Sequence, residues 1–169
     1  YVNLKDFDEE GHPKTGVCSR NLDLKYDEAN SFWEAAIKEN LIWKIASTGR
    51  SLAIQGELVG EGIQGNSYKL VGRQFFCFDI WDIDKQEYLL PYERQELCKQ
   101  LDIQHVPLLG VCAIGGVINT SQELILNQAE GKSEVGCNPE REGMVWKSID
   151  KHDVSFKAIS NRWLLKGGE

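Results

Sequence analysis

The chain has 169 residues, of which 41% are hydrophobic and 27% charged, and its formal net charge is −7. These values are ordinary for a soluble globular protein and exclude a disordered chain, a collagen and a coiled coil. Since no apolar run approaches the ~18 residues of a membrane-spanning helix and the start lacks a signal-peptide pattern, we expect one domain over residues 1–169 without a membrane partner.

The first half of the chain is predicted to contain a hairpin, a helix and two strands. Residues 5–15 are polar, with a turn at Gly11 and Pro13, and are typical of an exposed hairpin loop between two short strands. From Asn30 the apolar residues have helical spacing, which predicts one long helix that ends before Gly49. Residues 51–60 and residues 74–83 have the alternation of strands.

The second half is predicted to be mixed as well. A short helix follows Pro91, and the apolar residues 106–114 are predicted to be extended. Thr120 opens a capping-box pattern, which predicts another helix. Residues 143–147 and residues 154–159 are predicted to be the last two strands. Many strands with few helices indicate an α+β fold with an antiparallel sheet.

The charge is distributed unevenly along the chain. Residues 1–140 carry a net charge of −9, whereas residues 141–169 carry +2. Because contacts with phosphates need Lys and Arg, the acidic average argues against a protein that coats nucleic acid. The gradient predicts that a polyanion meets the C-terminal segment first.

Cysteine and histidine do not form a recognisable metal site. The five cysteines are widely spaced, with no C-x-x-C pair and no histidine at metal-ligand spacing, which favours reduced thiols and a cytoplasmic protein. His12, His105 and His152 lie in polar contexts, so we expect them in turns or on the surface.

A glycine-rich hexapeptide resembles the fingerprint of dinucleotide-binding folds. Residues 60–65 (GEGIQG) satisfy G-x-G-x-x-G. In those folds the hexapeptide must open a helix whose N-terminus receives the pyrophosphate. Residues 66–72 predict a turn that leads into a strand instead, so a dinucleotide site is not expected.

Four predicted strands each bring one charged side chain into an apolar segment. A charge in a strand most often lies on the solvated face. Four such charges, from Glu57, Asp79, Glu142 and Lys157, are better explained by a shared polar groove. In it, carboxylates could hold ribose hydroxyls or a divalent metal and lysines could hold phosphates.

Aromatic residues accompany this groove in the predicted strand 74–83. In the simplest interpretation Phe75, Phe76 and Phe78 belong to the core. Strict alternation places Phe76 and Phe78 on one face and Phe75 on the other. One face could therefore offer a ring that stacks on a base.

Five segments occur in an order that carries a family resemblance. The segments are residues 19–21 (SRN), 56–66 (GELVGEGIQGN), 75–81 (FFCFDIW), 141–148 (REGMVWKS) and 155–166 (SFKAISNRWLLK). In this order they resemble the ATP-dependent RNA ligases of the covalent nucleotidyltransferase superfamily, in the form of the Deinococcus-type enzyme. The resemblance implies an antiparallel-sheet nucleotidyltransferase (adenylation) domain of the ATP-grasp-like ligase type, incomplete at its N-terminus.

The same resemblance implies an activity in three steps. A lysine attacks the α-phosphorus of ATP, AMP passes to the 5′-phosphate of an RNA end, and a 3′-OH then displaces AMP. It implies ATP and Mg²⁺ or Mn²⁺ as cofactors, and RNA ends, including those of a nicked duplex, as partners. Such a transfer needs cations on the phosphoryl oxygens and an in-line nucleophile.

Roles of individual residues are implied by position in the matching segments. Glu57 resembles the carboxylate that contacts the AMP ribose, and Phe78 resembles the ring that stacks on adenine. Glu142 resembles the carboxylate tied to metal and sugar. Lys157 resembles the lysine that holds the α-phosphate, and Arg20 resembles an upstream arginine near the phosphate. Within residues 56–66, Gln64 and Asn66 are expected to have only a local role.

The chain departs from the family at the nucleophile. The nucleophilic lysine lies in K-x-D-G or K-x-H-G, and neither tetrapeptide occurs here; the nearest approach is KDFD at residues 5–8. The resemblance therefore predicts that the chain begins just after this motif. Residues 1–169 alone are not expected to form a lysyl-adenylate.

A second departure concerns the lysines near the C-terminus. Many relatives have K-x-K where this chain has Lys157 followed by Ile159, and Lys166 is a candidate substitute. Strict alternation places Glu142 and Lys147 on opposite faces of their strand, so we expect Lys147 outside the site.

Two further functions fit the same residues. One is a protein without a nucleophile that binds nucleotides or nucleic-acid ends. The other is a DNA ligase or a capping guanylyltransferase of the same superfamily.

Overall fold

Helices and strands alternate along the chain, which the computed structural model describes over residues 1–112 and 122–166. The strands are β1 (Val2–Phe7), β2 (Pro13–Thr15), β3 (Val17–Cys18), β4 (Asp23–Leu24), β5 (Leu52–Gly60), β6 (Arg73–Asp82), β7 (Glu87–Tyr88), β8 (Gly143–Lys147) and β9 (Ser155–Ile159). The helices are α1 (Ser31–Lys38), α2 (Leu41–Ala46), α3 (Pro91–Gln100), α4 (Gln122–Ala129) and α5 (Asn161–Leu165). No helix within the described residues combines the length and hydropathy needed to span a bilayer.

A five-stranded antiparallel sheet organises the first two thirds of the chain. Its strand order is β2-β1-β5-β6-β7. Two smaller antiparallel pairs, β3 with β4 and β8 with β9, lie beside it. This arrangement confirms the predicted α+β fold with an antiparallel sheet.

The hydrophobic core lies between this sheet and the helices α1, α2 and α3. Leu52 and Ile80 of the sheet are fully buried, together with Cys77. They pack in one cluster with apolar residues of all three helices, among them Ile45 and Leu97. Because this face of the sheet is buried in the core, charged side chains lie on other surfaces. Glu57, for example, is exposed.

The single long helix predicted after Asn30 is wrong in its length, because the structure has α1 and α2 in its place. The Asn30 side chain caps α1 by accepting a hydrogen bond from the backbone N–H of Phe32 at 2.9 Å. Asn40 then adopts a left-handed conformation with a φ of 54°, which asparagine tolerates better than most residues. The apolar spacing continues across this break, so periodicity alone could not reveal it.

The remaining predicted elements are largely confirmed. Residues 8–12 form the turn of the β1–β2 hairpin, whereas residues 5–7 and 13–15 of the predicted loop lie in its strands. The other predicted strands and the helix after Pro91 have nearly the predicted bounds. Residues 106–112 are in no strand; the adjacent His105 forms an isolated bridge with Cys77. Residues 113–121, which include Thr120 and Ser121 of the predicted capping box, lie outside the described residues, and the helix predicted after them is present as α4. The short helix α5 was not predicted.

The glycine-rich hexapeptide is not followed by an α-helix. Gln64–Asn66 form a single 3-10 turn, and the next element is the strand β6. The turn is closed by the Asn66 side chain, which donates to the carbonyl of Leu70 and accepts from its N–H, both at 3.0 Å. Asn66 thus has the local role that was expected, and the helix that a dinucleotide site requires does not form.

A β-bulge interrupts the pairing of β5 with β6. Gln55 stands opposite Asp79, and the next residue, Gly56, stands opposite Cys77, so Phe78 is the extra residue without a partner in the ladder. Such a bulge shifts the alternation of the residues that follow it, and Ile80 accordingly enters the core. Bulges reorient individual side chains, which makes Phe78 a residue of interest.

Candidate functional site

The antiparallel pairing of β8 with β9 brings Glu142 and Lys157 together. Lys157 stands opposite Val145 in the register, and its ammonium group forms an ion pair with the carboxylate of Glu142, just before β8. The side chain of Lys157 is 44% exposed and that of Glu142 is 50% exposed. Both groups can therefore reach a ligand, and an exposed pair of this kind adds only about 0–1 kcal/mol to the free energy of unfolding.

The C-terminal end of α4 fixes the backbone on both sides of this pair. The Arg141 guanidinium donates from Nε to the Ala129 carbonyl at 3.0 Å and from Nη2 to the Glu130 carbonyl at 2.5 Å. The Glu130 carboxylate accepts from the Ser160 hydroxyl at 2.7 Å. The backbone N–H of Ser160 in turn donates to the Glu142 carbonyl at 2.8 Å. The start of β8 and the end of β9 are thereby held to one anchor.

The carboxylates of Glu57 and Glu142 both affect the pKa of one neighbouring side chain, that of Tyr68. Burial raises the pKa of the Tyr68 phenol, and the negative charges of the two carboxylates raise it further. Gly136 allows this neighbourhood to form: its φ is +63°, and a Cβ there would lie 2.1 Å from the Tyr68 carbonyl oxygen. The Glu57 carboxylate of β5 and the Glu142 carboxylate before β8 therefore both lie within electrostatic reach of Tyr68.

Phe78 and Asp79 meet the β8–β9 hairpin at the bulge. The ammonium group of Lys147 forms an ion pair with Asp79 and lies 6.0 Å from the centroid of the Phe78 ring. Phe78 is half-buried, so part of its side chain is accessible. A ring held in this way can stack on a planar base.

The expectation that Lys147 lies outside the site is wrong. In the register Lys147 stands opposite Ser155, while Val145 stands opposite Lys157, so Lys147 and Lys157 share a face of the hairpin. Glu142 precedes the first residue of β8 and is not bound by the alternation on which the expectation was based. The β8–β9 hairpin thus carries Lys147 and Lys157 on the same face.

Asp79 belongs to a polar network with Arg94 and His105. Arg94 of α3 donates from Nη1 to Asp79 Oδ1 at 3.1 Å and from Nε to His105 Nε2 at 3.0 Å. The expectation that His105 is a surface or turn residue is therefore wrong: it is half-buried in this network. Neither Arg94 nor His105 was a candidate in the sequence, because only the packing of α3 on β6 brings them together.

The other predicted residues do not join this cluster directly. Arg20 is exposed in the turn between β3 and β4, and it pairs with none of the described residues. Ile159 stands opposite Gly143 at the end of the hairpin. Lys166 is exposed at the end of α5, where its positive charge contributes to a lowered pKa of Glu140, an effect due first to the hydrogen bond from Lys132.

The site offers few protein ligands, so a metal ion bound here would take most of its ligands from substrate phosphates and water. The described ranges hold no cluster of three or more His, Cys, Asp or Glu side chains. Glu142 offers one half-exposed carboxylate. Mg²⁺ is commonly held by one or two carboxylates together with substrate phosphates and water, and the site fits such an ion.

Comparison with known proteins decides the family. The family model described as RNA ligase matches residues 4–159. The chain belongs to the RNA ligase family. Among solved RNA ligases, an apo mutant of the Naegleria gruberi enzyme is 42% identical with a TM-score of 0.83, and the match covers 96% of this chain and 47% of that one. No curated protein shows significant similarity to the chain.

Two further Naegleria gruberi RNA ligase structures contain nucleotides. A mutant with ATP and Mn is 42% identical with a TM-score of 0.81, and the match covers 95% of this chain and 46% of that one. A mutant with AMP and Mn is also 42% identical with a TM-score of 0.81, covering 96% and 47%. This RNA ligase family member thus spans about half the length of the solved relatives that it matches, and the resemblance drawn from its five segments is confirmed.

Proposed function

We propose that this chain is the nucleotidyltransferase domain of an ATP-dependent RNA ligase, with residues 1–169 as one domain. The ligase would join RNA 3′-OH and 5′-phosphate ends through lysyl-AMP and RNA-adenylate intermediates. One observation carries the proposal: in a member of the RNA ligase family, the Glu142–Lys157 pair and the accessible ring of Phe78 face the same side of the β8–β9 hairpin. A base, a sugar and a phosphate can be held along such a surface.

Each predicted residue has a role in this proposal. Phe78 would stack on adenine, Glu57 would contact the ribose, and Lys157 would hold the α-phosphate. Glu142 would bind the divalent metal, and Arg20 would meet a phosphate from its exposed turn. The complexes of the Naegleria gruberi enzyme with ATP and Mn and with AMP and Mn support ATP and Mg²⁺ or Mn²⁺ as the cofactors.

The geometry also indicates how charge is used during the transfer. When the nucleophilic lysine attacks the α-phosphorus, the bond to the pyrophosphate oxygen breaks and negative charge grows on the phosphoryl oxygens. The Lys157 ammonium is held ready by Glu142 and can move to these oxygens without crossing a buried region, because both side chains are half-exposed. A bound divalent cation would supply further positive charge there.

The RNA partner is supported by the charge distribution. The positive surplus of residues 141–169 lies on the hairpin and on α5, next to the proposed nucleotide site. We propose that RNA ends, including those of a nicked duplex, approach along this surface. The acidic remainder would favour brief encounters over tight coating of a strand. We also propose a cytoplasmic location, consistent with five free thiols.

Covalent labelling tests the function. The full-length protein should become labelled when it is incubated with Mn²⁺ and ATP carrying a labelled α-phosphate, and it should then join a 5′-phosphate RNA to a 3′-OH RNA. Labelled GTP is the control. Labelling by GTP alone would indicate a guanylyltransferase, and binding of ATP without labelling would indicate a non-catalytic binding protein.

Replacement of Phe78 tests the adenine contact. Phe78→Ala in the full-length protein should raise the KM for ATP in adenylylation by about 5-fold to 150-fold, because the stacking of a base on an aromatic ring contributes roughly 1–3 kcal/mol. Steady-state and single-turnover adenylylation would measure it. The matched control is Phe156→Ala, which removes a ring stacked on Trp146 on the opposite face of the hairpin. Equal effects of the two variants would contradict the assignment.

A further inference from the structure

A buried guanidinium group pairs with Asp79, the residue that follows Phe78. Arg94 is only 5% exposed, and its two donors are directed at Asp79 and at His105. Asp79 uses its other oxygen for Lys147. An arginine with so little exposed surface needs partners for its charge and its hydrogen bonds. Here each partner belongs to a different segment of the chain.

The network selects one form of His105. The Nε–H of arginine can only donate, so His105 Nε2 must accept and carry no proton. The proton of the neutral ring is then on Nδ1, which donates to the Val106 carbonyl at 2.6 Å. Burial lowers the pKa of His105, with the charges of Arg94 and Lys147 acting in the same direction and the Val106 hydrogen bond and the charge of Asp79 acting against it.

Residues 104–106 also form hydrogen bonds with Cys77 of β6, next to Phe78. The N–H of Cys77 donates to the Gln104 carbonyl at 2.8 Å, and the N–H of Val106 donates to the Cys77 carbonyl at 2.9 Å. Phe78 itself has no partner in the β5–β6 ladder. The position of its ring therefore depends on its two neighbours, Cys77 on one side and Asp79 on the other.

We propose that Arg94, oriented by neutral His105, is a positioning residue that holds the Phe78 ring in place for adenine through Asp79 and Lys147. This inference rests on the proposed function, since it assigns a means of alignment to the same nucleotide site. Arg94 would not touch ATP. Removing its guanidinium would leave the buried carboxylate of Asp79 with Lys147 as its remaining charged partner and would free both to move with the bulge.

The experiment compares a ligand that contains adenine with one that does not. The full-length protein and its Arg94→Gln variant would be titrated with α,β-methylene-ATP, which cannot transfer AMP, and with inorganic tripolyphosphate. We expect the variant to bind α,β-methylene-ATP about 10-fold more weakly, as part of the stacking is lost. Binding of tripolyphosphate should change less than about 2-fold.

Arg50 provides a matched control, because it pairs with another aspartate of β6. It donates to Asp82, which is 3% exposed, at 2.8 Å and to Glu93 at 3.0 Å, and Asp82 is the last residue of β6, four residues after Phe78. Arg50→Gln should change neither affinity by more than about 2-fold, although it also breaks a buried arginine–aspartate pair. An Arg94→Gln variant that weakens both ligands equally, or neither, would overturn the proposal. Failure of the unmodified protein to bind α,β-methylene-ATP would instead count against the proposed function.

A second variant keeps the proposal testable if Arg94→Gln does not fold. The groups that face His105 are Arg94 from α3, Asp79 from β6 and Lys147 from β8. Protonation of Nε2 at acidic pH would remove the acceptor for Arg94. The ratio of the two affinities should therefore shift against α,β-methylene-ATP as the pH falls through the lowered pKa of His105. His105→Gln keeps a neutral acceptor at every pH and should abolish this shift. A shift unchanged in His105→Gln would overturn the proposal.

Discussion

Lys157→Ala in the full-length protein should lower the rate of adenylylation by about 10³-fold, or about 4 kcal/mol of transition-state stabilisation. The physical reason is the loss of a cation from the phosphoryl oxygens during transfer. The thermal midpoint of unfolding should hardly change, because the Lys157–Glu142 pair is half-exposed and such pairs contribute little to folding. Single-turnover labelling by ATP together with a melting curve would measure both quantities.

Lys166→Ala is the control for Lys157. It removes the same charge from the same C-terminal region, but Lys166 lies at the exposed end of α5 and acts on Glu140. Its adenylylation rate should stay within about 3-fold of the unmodified protein, in the range of a screened surface charge. If both substitutions lowered the rate to the same extent, Lys157 would not be the phosphate contact that we propose.

The second large effect is expected at Glu142. Glu142→Gln keeps the size of the side chain but removes its negative charge, so adenylylation should fall by about 10²-fold and half-saturation should need more Mn²⁺. Lys157 would also lose the partner that holds it near the start of β8. The rate of labelling as a function of Mn²⁺ concentration would separate weaker metal binding from slower transfer.

Glu134→Gln provides the comparison for charge alone. Glu134 is exposed in the loop that leads to Glu142, and its loss changes the net charge of the protein by the same amount. We expect no more than about a 2-fold change in the dependence on Mn²⁺. A response to Mn²⁺ that is identical in the two variants would contradict the assignment of Glu142 to the metal.

The site combines exposed reactive groups with a buried support. Glu142 and Lys157 are half-exposed and held mainly through their backbones, by the anchor of Arg141 and Glu130 at the end of α4. Phe78, by contrast, precedes Asp79, which Arg94 and Lys147 hold, and Arg94 is in turn bound to His105. Groups that must meet phosphate and metal thus remain free to move, whereas the group proposed to receive the base is held.

Local patterns in the sequence accounted for most of the elements. Alternation predicted β5, β6, β8 and β9, and a proline at the first helical position predicted α3, because these signals depend on neighbouring residues. The order of five short segments identified the RNA ligase family and five candidate site residues. Local patterns were less informative where a single residue interrupts them, as Asn40 does between α1 and α2.

Contacts between distant segments lay beyond any local pattern. The bulge at Phe78 arises from the pairing of β5 with β6, and it shifts the alternation on which the faces of β6 were predicted. Lys147 joins the site through its ion pair with Asp79 and the face that it shares with Lys157, and Glu142, which precedes β8, is not bound by the alternation of that strand. His105 and Arg94 meet across a helix and a loop. Periodicity therefore sufficed to predict the strands and their candidate charges, whereas the choice of which charges meet required the three-dimensional packing, since hydrogen bonds and ion pairs form between residues far apart in the chain.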